Sequence, residues 1–155
     1  MMSLSQINSH VIVGSSPKDV GDVRELHEKH NVTSVLSLQT DADLHCRGIN
    51  IDLLETHYQK REINFQRFPI DDVNPMDMAE KILKPIQYLV DQVNKGKLVY
   101  VHCNAGICRA TSTVLGYLHL EHGMTMQQGL EYIRAKRPIA NPYVSAVVQA
   151  FEQID

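Results

Sequence analysis

The sequence predicts an α/β fold in a single domain, and three observations carry that expectation. Short apolar, β-branched runs at Val11–Val13, Ser34–Leu38 and Lys97–Val101 alternate with segments whose apolar residues recur at helical spacing. A length of 155 residues is enough to bury one real core and short for two ordinary domains. No internal repeat is present that would favour a solenoid.

Taken in order, Val11–Val13 reads as a strand closed by the turn Gly14-Ser15-Ser16-Pro17. From Lys18 to His30 the residues Val20, Val23 and Leu26 fall on one helical face, and Asn31 breaks the pattern before the strand Ser34–Leu38. That is one β-α-β alternation. The polar stretch Gln39–Gly48 leads to a helix around Ile51–Arg61, and Ile63–Phe68 then alternates apolar and polar as a strand does, with Pro69 closing it. Asp77 followed by Glu80 has capping-box spacing and opens a helix toward Asn94, in which Pro85 predicts a kink. Lys97–Val101 fits a buried strand ending directly at His102-Cys103. Beyond a loop, Thr113–His122 is helical, Thr125 with Gln128 caps a helix to Arg137, and Asn141-Pro142 predicts an N-cap with Pro at N1 for the last helix.

Composition narrows the function classes. With 43% hydrophobic and 21% charged residues the chain is an ordinary globular protein, neither disordered nor fibrous. The 15 Lys+Arg against 18 Asp+Glu give −3, evenly spread, so neither a nucleic-acid partner nor a membrane partner is expected. No apolar run approaches the roughly 18 to 20 residues that cross a bilayer, and MMSLSQINSH lacks the features of a signal peptide, so the expected location is cytoplasmic. Three cysteines, Cys46, Cys103 and Cys108, are odd in number and unevenly spaced, which argues for a reactive or buried thiol over a disulfide framework. The eight histidines are scattered. Only His27/His30 and His119/His122 share a helical spacing, without an aimed carboxylate, so neither a metal nor a cofactor is expected.

The informative stretch is VYVHCNAGICRATS, residues 99–112, where a buried strand delivers Cys103 into a turn that reaches Arg109 at a helix start. Between them lie Asn104, Ala105, Gly106, Ile107 and Cys108. If the turn wraps, its N–H groups converge on one point, the helix adds its positive dipole end and Arg109 a bidentate fork, a site suited to a tetrahedral oxyanion. Gly106 supplies the positive φ or missing Cβ that so tight a loop commonly needs. The same field lowers a thiol from its ordinary ~8.5 to between ~3.5 and ~7.5, which makes Cys103 a candidate nucleophile for in-line attack on a phosphate monoester. A leaving alkoxide or phenolate also needs a proton, and Asp71 and Asp72, on the loop after the Ile63–Phe68 strand, are the candidate acids.

The motif HCNAGICRA resembles the HCxxGxxR signature of the cysteine-dependent protein tyrosine phosphatase superfamily, and the short chain resembles its atypical dual-specificity branch. VIVGSSP, SVLSLQTDADL and RGINIDLL are similar to segments of the plant starch (glucan) phosphatase subgroup, so that the likeness spans nearly all of residues 1–155, read as one catalytic domain. The resemblance implies a central mixed sheet flanked by helices, with the phosphate loop between a central strand and a helix. It places Cys103 on the nucleophile, Arg109 on the phosphate-binding arginine, residues 104–108 on the phosphate loop and His102 on the histidine before the nucleophile. It favours Asp72 over Asp71 as the acid, with Asp77 as the polar residue five positions later, and likens KRPIANPYVSAVVQAFEQ to the family's arginine-to-asparagine-proline turn and final helix.

Departures bear on function. Where the family often has Ser or Thr after the loop arginine this chain has Ala110, with Thr111 one further on as the supporting hydroxyl. Cys108 stands where Gly or Ser is usual, a benign small residue or a thiol that reacts with oxidised Cys103. The positions that carry sugar-stacking aromatics in glucan-handling members are Cys46, Arg47 and Val73, and the loop lacks the extra lysines of phosphoinositide phosphatases. The expectation is therefore a phosphatase of phosphorylated substrates, phosphoprotein by elimination, with a phosphate-binding module without turnover, and a phosphoglucan or phosphoinositide phosphatase, as alternatives. A rhodanese or arsenate-reductase arrangement fits the upstream Asp72 poorly.

Overall fold

Five strands, β1 (Leu4–Gln6), β2 (Val11–Gly14), β3 (Ser34–Ser37), β4 (Asn64–Arg67) and β5 (Val99–His102), form one sheet in the order β1-β2-β5-β3-β4 in a computed structural model that describes residues 2–154. β5 pairs in parallel with β2 on one side (Val11↔Val99) and with β3 on the other (Ser34↔Val99), β4 extends the parallel run, and β1 closes the far edge antiparallel to β2. Every residue of β2, β3 and β5 is buried, which is why these strands read as continuous apolar runs: helices cover both faces.

Among the described residues there are also eight helices: α1 (Val20–Glu28), α2 (Asp41–Cys46), α3 (Ile51–Lys60), α4 (Pro75–Lys81), α5 (Leu83–Asn94), α6 (Arg109–His122), α7 (Met126–Lys136) and α8 (Val144–Glu152). Alternate strand residues feed two cores. Ile12, Val35 and Tyr100 meet Val23, Leu26, Leu54 and Tyr58 of α1 and α3 on one face. Val13, Leu36 and Val101 meet Ile86, Leu89, Val114, Leu118, Ile133 and Val147 of α5–α8 on the other. The α/β class, the mixed sheet flanked by helices and the loop between a central strand and a helix are all as expected.

Four local expectations change. Residues 39–48 are not merely a polar stretch: Thr40 accepts from Asp43 N and Asp43 returns a bond to Thr40 N, a reciprocal cap that starts α2. The helix after Pro69 is capped by Asn74, with Pro75 at its first position, instead of by Asp77. The interruption falls at Ile82, one turn before Pro85, since proline lacks the N–H that would bond Lys81 O and its ring crowds that carbonyl, so α4 ends and α5 begins there. Asn141-Pro142 does not cap α8; Tyr143 precedes it and its N–H donates to Ser112 Oγ at 2.9 Å.

Candidate active site

β5 ends at His102, the turn 103–108 follows, and α6 starts at Arg109, so the site lies at the carboxyl end of the central strand, where open α/β sheets place ligands. Arg47, Asp72, Cys103, Asn104, Ala105, Ile107, Cys108 and Arg109 line a cleft of about 250 Å³ there. The expected nucleophile, arginine and acid are thus brought together. Asp71 is absent from the lining, and Cys46 is exposed on α2.

Inside the turn, Gly106 holds φ +70°, and a Cβ there would stand 2.6 Å from the backbone C and O of Gly14. Only glycine fits. The N–H groups of residues 104–108 make no backbone hydrogen bond among the described residues, which leaves them free to face an anion. Carbonyls, in contrast, are tied outward: Ile107 O accepts from Asn141 N (2.7 Å) and Thr111 Oγ1 (2.7 Å), Cys108 O from Ser112 N (2.8 Å) and Ser112 Oγ (2.7 Å), and Asn104 O from Ser16 N (3.0 Å). The Thr111 hydroxyl therefore braces the loop and is engaged away from the cysteine.

Arg109 is 1% exposed, and its fork is half used. Nη1 donates to Asp43 Oδ2 (2.6 Å) and Ile70 O (2.9 Å), whereas Nε and Nη2, both buried, have no hydrogen-bond partner among the described residues. Asp72 Oδ1 lies 3.5 Å from Nε, near enough to attract and not aligned to bond. Two donors of a buried cation left open toward a cleft is an arrangement completed by an oxyanion.

Asp43 was not legible as a site residue. Burial raises its carboxyl, but the bonds from Arg109, Thr40 N and Asn104 Nδ2 (3.0 Å) outweigh that and hold it lowered to about 2, so it stays the fixed counter-charge of Arg109. The signal available in sequence was Thr40-x-x-Asp43, a capping box that anchors α2. Gln39 joins the set by donating to Asn104 Oδ1 at 2.9 Å. Arg137 was missed as well: it is buried behind the loop and donates to Gly106 O at 2.7 Å.

His102 is buried, and burial lowers it to about 4, so the neutral ring donates Nδ1–H to Cys103 O at 3.1 Å. Cys108 is pushed up to about 11 by burial and by Cys103 and Asp72 nearby, which keeps it a thiol. Asp72 is held at the rim by a strained turn. Val73 has φ +53°, an uncommon region for a β-branched residue, and its N–H donates to Asp72 Oδ1 at 3.0 Å. Asp77 pins the same turn by accepting from Asp71 N (2.8 Å) and pairing with Lys81 (2.7 Å).

The chain resembles known proteins over most of its length. Over 96% of its length the chain is 28% identical to laforin of Mus musculus, and over 88% it is 27% identical to the chloroplastic phosphoglucan phosphatase LSF1 of Arabidopsis thaliana. It covers 48% and 24% of those two proteins, so it spans less than half the length of the curated relatives it matches. Human dual specificity protein phosphatase 4 is 26% identical over 83% of the chain and is covered to 29%. Among solved structures, PTPMT1 superposes with a TM-score of 0.79 at 22% identity (97% of this chain, 92% of that one). Tk-PTP in its active form does so at 0.76 and 24% (98% and 95%), and both likenesses establish the fold. The family model for the dual specificity phosphatase catalytic domain matches residues 12–153, and the chain belongs to that family.

Proposed function

We propose that the chain hydrolyses phosphate monoesters through a cysteinyl-phosphate, and the observation that carries this reading is the pair of unpartnered donors on buried Arg109 opening onto the cleft that Cys103 lines. Nε and Nη2 take two phosphoryl oxygens while the turn N–H groups take the others. The Cys103 thiolate attacks phosphorus, the S–P bond forms as the ester P–O bond breaks, and Asp72 gives its proton to the departing oxygen. Water then attacks phosphorus, Asp72 takes back a proton, the S–P bond breaks and inorganic phosphate leaves. Asp72 suits the role because it alone of the two adjacent aspartates lines the cleft. Asp43 keeps Nη1 occupied, so that the fork presents its other two nitrogens in fixed orientation.

Phosphoprotein is the substrate class we favour. At the rim, Arg47 and Val73 line or flank the cleft where sugar-stacking aromatics would stand, and Ile107 adds a partly exposed apolar surface. The relative LSF1 is a phosphoglucan phosphatase, and one similar solved structure is PTPMT1 in complex with PI(5)P, so both chemistries belong in the substrate panel. Three unpaired cysteines support a reducing compartment such as the cytoplasm; among the described residues no helix is long and apolar enough to cross a membrane.

The test is hydrolysis of para-nitrophenyl phosphate against pH, in EDTA and reductant, for the wild type beside Cys103→Ser. The expected result is metal-independent activity that disappears in the variant, followed by turnover of phosphopeptides and not of phosphoglucan or inositide. Background rates in both proteins overturn it in favour of a phosphate-binding module, a reading supported by Ala110 and by the engagement of Thr111 Oγ1 with loop carbonyls, which leave no hydroxyl to help the thiolate depart.

A further inference from the structure

Of the residues that line the cleft, Arg47 takes no part in the phosphoryl chemistry. It stands at the C-terminal end of α2 in right-handed helical conformation (φ −93°, ψ −1°), and its N–H donates to Asp43 O at 3.1 Å. Residues four apart are neighbours on a helix surface, so Asp43 and Arg47 share one face of α2. Asp43 is held on that side by Arg109 Nη1 (2.6 Å), Thr40 N (2.9 Å) and Asn104 Nδ2 (3.0 Å). The site itself therefore fixes the helix face that carries Arg47.

The two cations of the cleft differ in depth. Arg109 is buried, and its two open nitrogens with the turn N–H groups are donors enough for one phosphoryl group. Arg47 is exposed at the rim and has no carboxylate in salt-bridge range among the described residues, whereas Arg61, Arg67 and Arg109 pair with Glu28, Asp41 and Asp43. A cleft of about 250 Å³ holds one phosphorylated side chain, so whatever reaches the rim belongs to the groups beside it. The rest of that rim offers the apolar Ile107 and the acid Asp72, which leaves Arg47 as the exposed cation of the cleft lining.

We propose that Arg47 is a specificity-determining residue, resting on the phosphatase reading above: its guanidinium binds the carboxylate of an aspartate or glutamate within two positions of the phosphorylated residue, and the preferred substrates are phosphoproteins with acidic flanks. An extended chain advances about 3.3 Å per residue, so such a carboxylate starts about 3 to 7 Å along the chain, within the sweep of an arginine side chain. Guanidinium and carboxylate match in charge and in bidentate geometry, and a neutral glucan chain has no charge to offer there. The contact is exposed to solvent, so its effect is modest and falls with salt.

The experiment reads binding and turnover separately. Phosphotyrosyl peptides of one core sequence, flanked by aspartate, alanine or lysine, are titrated by fluorescence anisotropy against Cys103→Ser, alone and combined with Arg47→Gln or Arg47→Glu. Values of kcat/KM are measured on the same peptides with Cys103 intact. The aspartate peptide is expected to bind roughly 3- to 10-fold more tightly than the lysine peptide at low salt. Arg47→Gln should erase that preference, Arg47→Glu should invert it, high salt should narrow it, and kcat/KM should follow the same order. Equal affinity for the two peptides, or a preference that survives Arg47→Glu, overturns the proposal. So does a bisphosphorylated inositide headgroup that binds more tightly than the aspartate peptide and loses its advantage in Arg47→Gln, because Arg47 then serves a second phosphate. A protein that keeps the acidic preference in binding and hydrolyses no peptide defeats the phosphatase reading and leaves the recognition by Arg47 standing. One that hydrolyses all three peptides alike does the reverse.

Discussion

Arg109 and Arg137 stand on two sides of one loop, both buried, and they are furnished in opposite ways. Arg137 has no carboxylate partner among the described residues and spends its donors on two carbonyls and two serine hydroxyls. Arg109 has a carboxylate, Asp43, on one nitrogen and keeps two nitrogens open. The difference teaches how to tell scaffold from site. A guanidinium whose donors are engaged fixes geometry, and one that keeps buried donors idle is waiting for an anion, because an unmade buried hydrogen bond costs free energy until a ligand makes it.

The largest effect should come from closing that open side. Arg109→Lys retains the charge but cannot offer two coplanar N–H groups, and kcat/KM for an aryl phosphate is expected to drop by at least about 10³-fold. A drop below tenfold would mean that the two idle donors do not face the substrate. Next in size is the acid at the same mouth. Asp72→Asn should slow alkyl phosphates by roughly 10²-fold and aryl phosphates less, because a good leaving group needs the proton less, while Asp71→Asn stays near the wild type. Equal losses at the two positions would reverse the assignment that the cleft lining makes.

The smallest effect concerns the partnered side. Asp43 is depressed in the folded protein from 3.8 to about 2, so it contributes stability that is present above pH 4 and is lost as pH falls through about 2. The contribution is on the order of 2 kcal/mol, and Asp43→Asn is expected to lower the melting temperature at neutral pH by about 5 °C. The gap between the variant and the wild type should shrink as the pH is taken down toward 2. A gap that is constant with pH would show that hydrogen bonding, which asparagine partly keeps, matters there more than charge.

Spacing alone revealed what is contiguous, and the remote Asp72 was singled out from Asp71 only through the family resemblance. Cys103, the turn and Arg109 sit within seven residues, and a buried strand running into a helix start sets their relation locally. Asp43 and Arg137 were hidden because their roles arise from chain segments that meet only in the fold: Asp43 is 66 residues from the guanidinium it holds, and Arg137 lies 31 from the carbonyl it binds. Asp43 did carry a local signal, its reciprocal cap with Thr40, but that signal speaks of a helix start and not of a partner. The three-residue β1 is too short for any periodicity, and it exists because β2 offers an edge. Asn141-Pro142 has good capping chemistry that goes unused, since the N–H groups an Asn141 cap would take are spent elsewhere, Tyr143 N on Ser112 Oγ and Val144 N on Pro142 O.

The placement of β5 has a consequence for the energetics of binding. It is the third of five strands, hydrogen-bonded along both sides and wholly buried, so it belongs to the part of the molecule that opens only with the whole. The turn that cradles the anion therefore grows from the slowest-exchanging backbone, and its conformational entropy is surrendered during folding and not at the moment of encounter. Amide exchange in β5 should be governed by global unfolding with or without an oxyanion in place, and ligand protection there should rise only as far as binding stabilises the entire native state.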